Sequence, residues 1–298
     1  MLNQSDLLDP SGFGKLTLSQ PEWPSVAEAV SFAGGKPSAG WKTSADSVSS
    51  RRAGDYYAKW TMSANFAAAE QLALTGWDEG REKVAANLTD IFTSGAAELT
   101  SGAALEHSVG GAYPDVPLFV AGEVCHMVND GDQLGEKPLV KFLINSTASA
   151  HVDADVIANR GAAVAALVDQ IESSGARCEI WVTFATATGG KFYAPMVCAK
   201  RAENVLDIDT VAFAMGHPSM LRRILFGIVE NDPFTDGAGY ECGYGSAATI
   251  PAAAIPSDVI HLGVLREQTK YRTPAKAMEE VRRLYNEQAE QKGSEVQL

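Results

Sequence analysis

The clearest hydrophobic pattern lies in the middle of the chain. LVKFLI, starting at Leu139, is a short apolar run that closes on a polar loop, NSTASAHVDAD. VIANRGAAVAALVDQIESSG follows, with apolar residues at Ile157, Val164, Leu167, Val168 and Ile171. These fall near the i, i+3, i+4, i+7 spacing of one helical face, and Gly175 supplies a stop. CEIWVTF is then a second apolar run of strand length. Strand, helix over about 156–173 and strand is the spacing of a parallel crossover, so the pattern predicts two adjacent parallel strands.

Flanking patterns extend this unit. KFYAPMVCAK, after the Gly189-Gly190 turn, reads as a third strand, either in a hairpin with CEIWVTF or added at the sheet edge, and Pro195 favours the edge. DIDTVAFAMGHPSMLRRILFGIVEN reads as two helices broken before Pro218, with Asp207 or Asp209 capping the first. DVIHLGVL is a further core strand of the same sheet. PAKAMEEVRRLYNEQAEQ opens with proline and places Met278, Val281 and Leu284 on one face, an amphipathic helix. Upstream, SANFAAAEQLALTG and WDEGREKVAANLTDIF read as two helices meeting at Gly76-Trp77. The first sixty residues are rich in Gly, Ser and Pro, with Trp23, Phe32, Trp41 and Trp60 in no regular period. They predict an extended arm that anchors through its aromatics, on a partner or on the body of the protein.

The expected fold class is therefore α/β: a Rossmann-like, mostly parallel sheet flanked by helices, with an N-terminal helical and irregular extension. The expected divisions are an arm over 1–62, a helical lobe over 63–137, an α/β core over 138–270 and a C-terminal helix over 271–298.

Composition narrows the function classes. The chain has 298 residues, of which 46% are hydrophobic and 20% charged, ordinary for a globular protein. No window approaches the roughly 20 apolar residues that span a bilayer, and MLNQSDLLDPSGFGK lacks the basic and apolar regions of a signal peptide. A cytoplasmic protein with no membrane role is expected. A net charge of −13 and a pI near 4.8 oppose binding to phosphate backbones, so no nucleic-acid partner is expected. Arg222 and Arg223 read as part of a solvated helix face. Cys125, Cys178, Cys198 and Cys242 form no CxxC; Cys178 and Cys198, inside apolar runs, are expected to be buried and reduced.

FLINSTASA resembles the first strand and loop of von Willebrand factor A (VWA) domains, whose strand ends in a D-x-S-x-S metal-binding motif. The matching residues are Asn145, Thr147 and Ser149. Alternate residues of a loop at a strand's carboxyl edge can turn their oxygens toward one cation. The resemblance implies a VWA-like core and a Mg²⁺ site held by these three residues. It is a degenerate site, because asparagine stands where the family has aspartate. GWDEG, INSTASA, NRGAAVAALVDQIESSG and HPSMLRR together resemble an uncharacterised family encoded by tailed bacteriophages, which implies action in the host cytoplasm or in the virion.

No complete catalytic constellation is present: there is no GxSxG elbow and no GxxxxGK loop. His217 with Arg222 and Arg223 could form an anion site, but a histidine before proline at a helix break reads first as a packed residue. The function expected is a non-enzymatic adaptor that meets a protein partner, such as an AAA-type ATPase or virion proteins. The alternatives are a structural component of a phage particle, or a metal-dependent enzyme in which Asp153, Asp155, Asp207 or Asp209 joins Asn145.

Overall fold

A computed structural model of the chain describes residues 17–38, 41, 49–93, 106–110, 113–114, 116–129, 138–236, 244 and 246–292. The N-terminal part contains β1 (Thr17–Ser19), β2 (Glu22–Trp23), α1 (Val26–Ala33), α2 (Asp55–Thr61), α3 (Phe66–Thr75) and α4 (Asp78–Thr93). A small unit follows, with β3 (Glu106–Ser108), β4 (Tyr113–Pro114), α5 (Val116–Val120) and β5 (Met127–Asn129). Next come β6 (Leu139–Asn145), α6 (Ala154–Ser173), β7 (Arg177–Thr183), β8 (Thr186–Thr188), β9 (Lys191–Tyr193) and β10 (Met196–Lys200). The last elements are α7 (Ile208–Gly216), a π-helical turn over Met220–Leu225, α8 (Phe226–Asn231), β11 (Ser246–Ala247), β12 (Val259–Leu262) and α9 (Pro274–Lys292).

The central sheet has the order β12-β6-β7-β10-β2. β6 pairs parallel with β7, from Leu139 opposite Arg177 to Asn145 opposite Thr183, and parallel with β12 on its other side. The predicted strand, helix and strand are thus adjacent and parallel. β10 runs antiparallel to β7 and β2 runs parallel to β10. Both faces are covered, which is why β6 and β7 read as nearly unbroken apolar runs. Phe142 and Ile144 belong to the larger core cluster with the helices, while Leu143 faces a second cluster with Trp181 and Phe192.

α6 departs from the expected single buried face. Helices α4, α7 and α9 pack on it as well as the sheet, so even Asn159, Arg160 and Gln170 are buried. Its Ala and Gly content follows from that crowding, since small side chains let neighbouring backbones approach. α9 buries Ala277, Met278, Val281, Tyr285 and Ala289, and the Tyr285 ring stacks on Phe142 at 6.0 Å.

KFYAPMVCAK divides between two sheets. β9 joins the order β1-β9-β8-β11, in which the Gly189-Gly190 turn, with positive φ at both glycines, closes the β8–β9 hairpin. β10 enters the central sheet. Pro195 falls in the break between them, so its missing N–H removes no ladder bond. The expected edge position for this strand is corrected, because β2 lies outside β10.

The N-terminal segment packs on the body, one of the two anchorages expected, but it is not extended: its described residues contain β1, β2, α1 and α2. Val26, Ala29, Val30 and Ala33 have helical spacing and are buried, and Ser25 Oγ caps α1 by accepting from Glu28 N at 3.2 Å. That short signal is hidden among Gly, Ser and Pro. Trp23 lies against Phe32 at 5.1 Å, and Trp41 is buried with its Nε1 donating to Thr235 Oγ1 at 3.3 Å. One core cluster runs from Val26 to Ala289, so the predicted arm, lobe, core and terminal helix share an interior.

Candidate functional site: a cleft at the strand edge

A cleft of about 470 Å³ opens beyond the carboxyl ends of β6 and β7. The β6–α6 loop supplies Thr147, Ala148, Ser149 and Ala150, and Phe184 follows directly on β7. α2 contributes Tyr56, Tyr57 and Trp60, one helical turn of aromatics at i, i+1 and i+4. Arg222, Phe226, Tyr244 and Ala247 complete the lining. Phe226 and Tyr244 stack at 3.8 Å between centroids, with Phe184 edge-on to Phe226 at 5.4 Å. Trp60 Nε1 donates to Ala150 O at 2.9 Å, which ties α2 to the loop.

The side-chain polar atoms of Asn145 and Thr147 are already engaged. Asn145 Oδ1 accepts from Thr147 N at 3.0 Å, and its Nδ2 donates to Ala248 O at 3.3 Å. Thr147 Oγ1 donates to Ala185 O at 3.1 Å and accepts from Ala185 N at 2.8 Å, clamping the loop to the segment after β7. Ser149 is half-buried in the cleft wall. The structure therefore brings Thr147 and Ser149 to the cleft and leaves Asn145 behind it, wholly buried and closing a turn.

Three arginines stand behind this edge. Arg160 Nη1 donates to Asn145 O at 3.1 Å and its Nη2 to Gly263 O at 2.7 Å, with Tyr271 under the guanidinium. Arg222 Nη1 donates to Trp60 O and Nη2 to Val152 O, both at 2.6 Å, and its guanidinium lies 4.5 Å from the Trp60 ring centroid. Arg223 bonds Thr61 Oγ1, Ser63 Oγ and the carbonyls of Ser50, Arg52 and Ser63. The expectation of a solvated arginine face is thus overturned: Arg222 is 1% exposed and Arg223 0%. Long-range carbonyl acceptors, which no local pattern announces, make that burial tolerable. Burial lowers the Arg222 pKa to about 10, so the group stays charged at neutral pH.

The remaining candidates have separate places. His217 is buried between the Trp77 and Phe213 rings, its Nδ1 accepts from Ser219 N at 3.1 Å, and burial lowers its pKa to about 4. It is a packed residue. Asp207 caps α7, Asp209 pairs with Arg81 at 3.2 Å, and Asp153 and Asp155 sit exposed at the start of α6. Among the described residues no three His, Cys, Asp or Glu side chains converge as metal ligands. Cys178 and Cys198 are buried free thiols, and burial raises the pKa of both. Cys242 lies outside the described residues. Glu230 is buried behind the cleft, where Tyr244 Oη and Ser50 Oγ each donate to it at 2.5 Å.

Sequence reasoning missed Tyr56, Tyr57, Phe184, Phe226 and Tyr244. Only the Tyr56, Tyr57, Trp60 cluster had a local signal; the others meet it through distant chain segments.

Fold and cleft together define an α/β protein with an aromatic cleft at the carboxyl edge of its parallel strands. The chain belongs to the family described as Domain of unknown function (DUF7192), whose model matches residues 13–288. No curated protein and no solved structure matches it. Among the described residues no helix is long and apolar enough to cross a membrane.

Proposed function

We propose that this chain is a non-enzymatic adaptor: a VWA-like core with a degenerate metal loop that recognises its partner at the carboxyl edge of the sheet. One observation carries the reading. The polar atoms of Asn145 and Thr147 are spent on Thr147 N, Ala248 O and the Ala185 backbone, while the same loop forms the wall of an open aromatic cleft. Such an edge offers contact surface in place of a reactive centre. Arg160, bonded to Asn145 O, sets a positive charge beneath the loop and opposes a cation there. The resemblance to phage proteins supports a place in the host cytoplasm or the virion, and the resemblance to VWA domains supports an AAA-type ATPase as partner.

The test is recovery of partners from infected cells on wild type and on Ala150→Arg, which puts a long charged side chain into the cleft mouth. An ATPase held by wild type and lost by the variant supports the adaptor. Capsid or tail proteins in its place would favour a structural component of the particle. Partners held equally by both proteins would remove the cleft from the function.

A further inference from the structure

The cleft has a chemical bias beyond its shape. Tyr56, Tyr57, Trp60, Phe184, Phe226 and Tyr244 form most of its wall, and Arg222 is the charged residue among those lining it. Among the described residues no Asp or Glu does so. A guanidinium has five donors; Arg222 places Nη1 and Nη2 on the carbonyls of Trp60 and Val152 and makes no ion pair among the described residues. Against the effect of burial, Tyr56 favours the charge, and Asp153 at the start of α6 adds to that. At the rim, Arg52 donates from Nη1 to Tyr57 Oη at 2.8 Å, with its guanidinium 5.8 Å from that ring centroid. A chain of net charge −13 thus lines this cleft with one guanidinium and sets a second, that of Arg52, on the hydroxyl of a lining tyrosine.

The hydrogen bonds of Arg222 go to carbonyls and no carboxylate pairs with it among the described residues, so a counter-ion that can reach this buried charge improves it. A purely apolar ligand would leave Arg222 as it is, and a cation would be opposed by Arg222 and Arg52. The volume lies in the range of small-molecule sites, which are commonly lined by aromatics with a few polar anchors. Edge and face contacts with tyrosine and phenylalanine favour a flat ring.

The geometry points to a small, flat aromatic ligand bearing one anionic group, with its ring among the α2 tyrosines and the Phe226–Tyr244 pair and its anion on Arg222. Arg52 draws the anion to the mouth. This site goes beyond the adaptor reading and is independent of it, since a purified chain binds such a ligand with no partner present.

The experiment is a titration of the full chain, followed by tryptophan fluorescence and thermal melting, with phenyl phosphate, benzoate, phenol and inorganic phosphate. Saturable binding of phenyl phosphate or benzoate, about tenfold or more tighter than either phenol or inorganic phosphate, is the expected result. Comparison of phenyl phosphate with benzoate tells which anion is preferred. Because Arg222 also holds Trp60 and Val152, the variants are Arg52→Gln and Tyr57→Ala, each checked by its melting curve. Arg52→Gln weakens binding several-fold and Tyr57→Ala removes most of it. Equal affinity for phenol and phenyl phosphate, no saturable binding by any of the four, or unchanged affinity in both variants would overturn the proposal. A failed partner recovery leaves this result standing, and the converse also holds.

Discussion

Gly161 and Gly216 meet backbone to backbone where α6 packs on α7: a Cβ on Gly161 would lie 2.0 Å from Gly216 Cα. The reverse substitution is milder, since a Cβ on Gly216 would lie 3.1 Å from Gly161 Cα. In an open helix Gly→Ala gains about 1 kcal/mol from propensity. Here overpacking outweighs it, and Gly161→Ala is expected to destabilise by about 1–3 kcal/mol or more. Gly216→Ala should cost less, and denaturant melts of the two variants give the order directly.

His217 gives the fold a dependence on acid. Its pKa is lowered from 6.5 to about 4 by burial, so between these values the unfolded chain binds the proton and the folded chain does not. The neutral form's stability is complete above pH 6.5 and is lost as pH falls toward 4. At about 1.4 kcal/mol for each unit, the full loss is about 3 kcal/mol. His217→Asn offers Ser219 N an acceptor without a proton to gain. Denaturation midpoints across that range should fall steeply in wild type and be flatter in the variant.

The loop geometry sets an expectation for metal. With Asn145 Oδ1 on Thr147 N and Thr147 Oγ1 on Ala185, millimolar Mg²⁺ should leave the wild-type melting temperature unchanged. Thr147→Ala leaves Ala185 N without its hydroxyl acceptor, a loss of about 1–3 kcal/mol, with or without Mg²⁺. Asn145→Asp sets a carboxylate against Ala248 O and should lower the melting point in chelator. Recovery of that variant by Mg²⁺ would mark a cation position that lacks only its charge. A clear Mg²⁺ shift in wild type would reinstate Asn145, Thr147 and Ser149 as a working site.

Lys200, whose side chain is 2% exposed, meets Glu172 Oε1 at 2.5 Å, and the same oxygen accepts from Cys178 N at 2.9 Å. Removing the carboxylate leaves a buried ammonium held only by the carbonyls of Cys178 and Arg201. Glu172→Gln is expected to cost about 2–4 kcal/mol. The double change Glu172→Gln, Lys200→Met should recover part of it, a comparison that a double-mutant cycle measures.

The central crossover was legible because β6 and β7 are buried on both faces and so read as plain apolar runs. α9 and the break at Pro218 were legible for similarly local reasons. The second sheet was not: β8 is Thr-Ala-Thr and β11 is Ser-Ala, too short and too mild to carry a period. Arg222 and Arg223 misled because charge in sequence signals solvent, and their carbonyl partners lie 70 to 173 positions away. The cleft was half visible. INSTASA marked its floor, while Phe184, Phe226 and Tyr244 join the α2 aromatics only through tertiary packing.

The pairing of the N-terminal segment has a consequence during synthesis. β1 and β2 lie along β9 and β10, and Phe32 O accepts from Asn231 Nδ2 across 199 positions. When residues 17–33 leave the ribosome, the strands that complete them have not been translated. Val26 and Val30, whose helix packs on α8, must therefore wait, with apolar surface uncovered, until roughly three-quarters of the chain has emerged. Contacts of such separation slow folding, and a nascent chain in that condition is a natural client for chaperones.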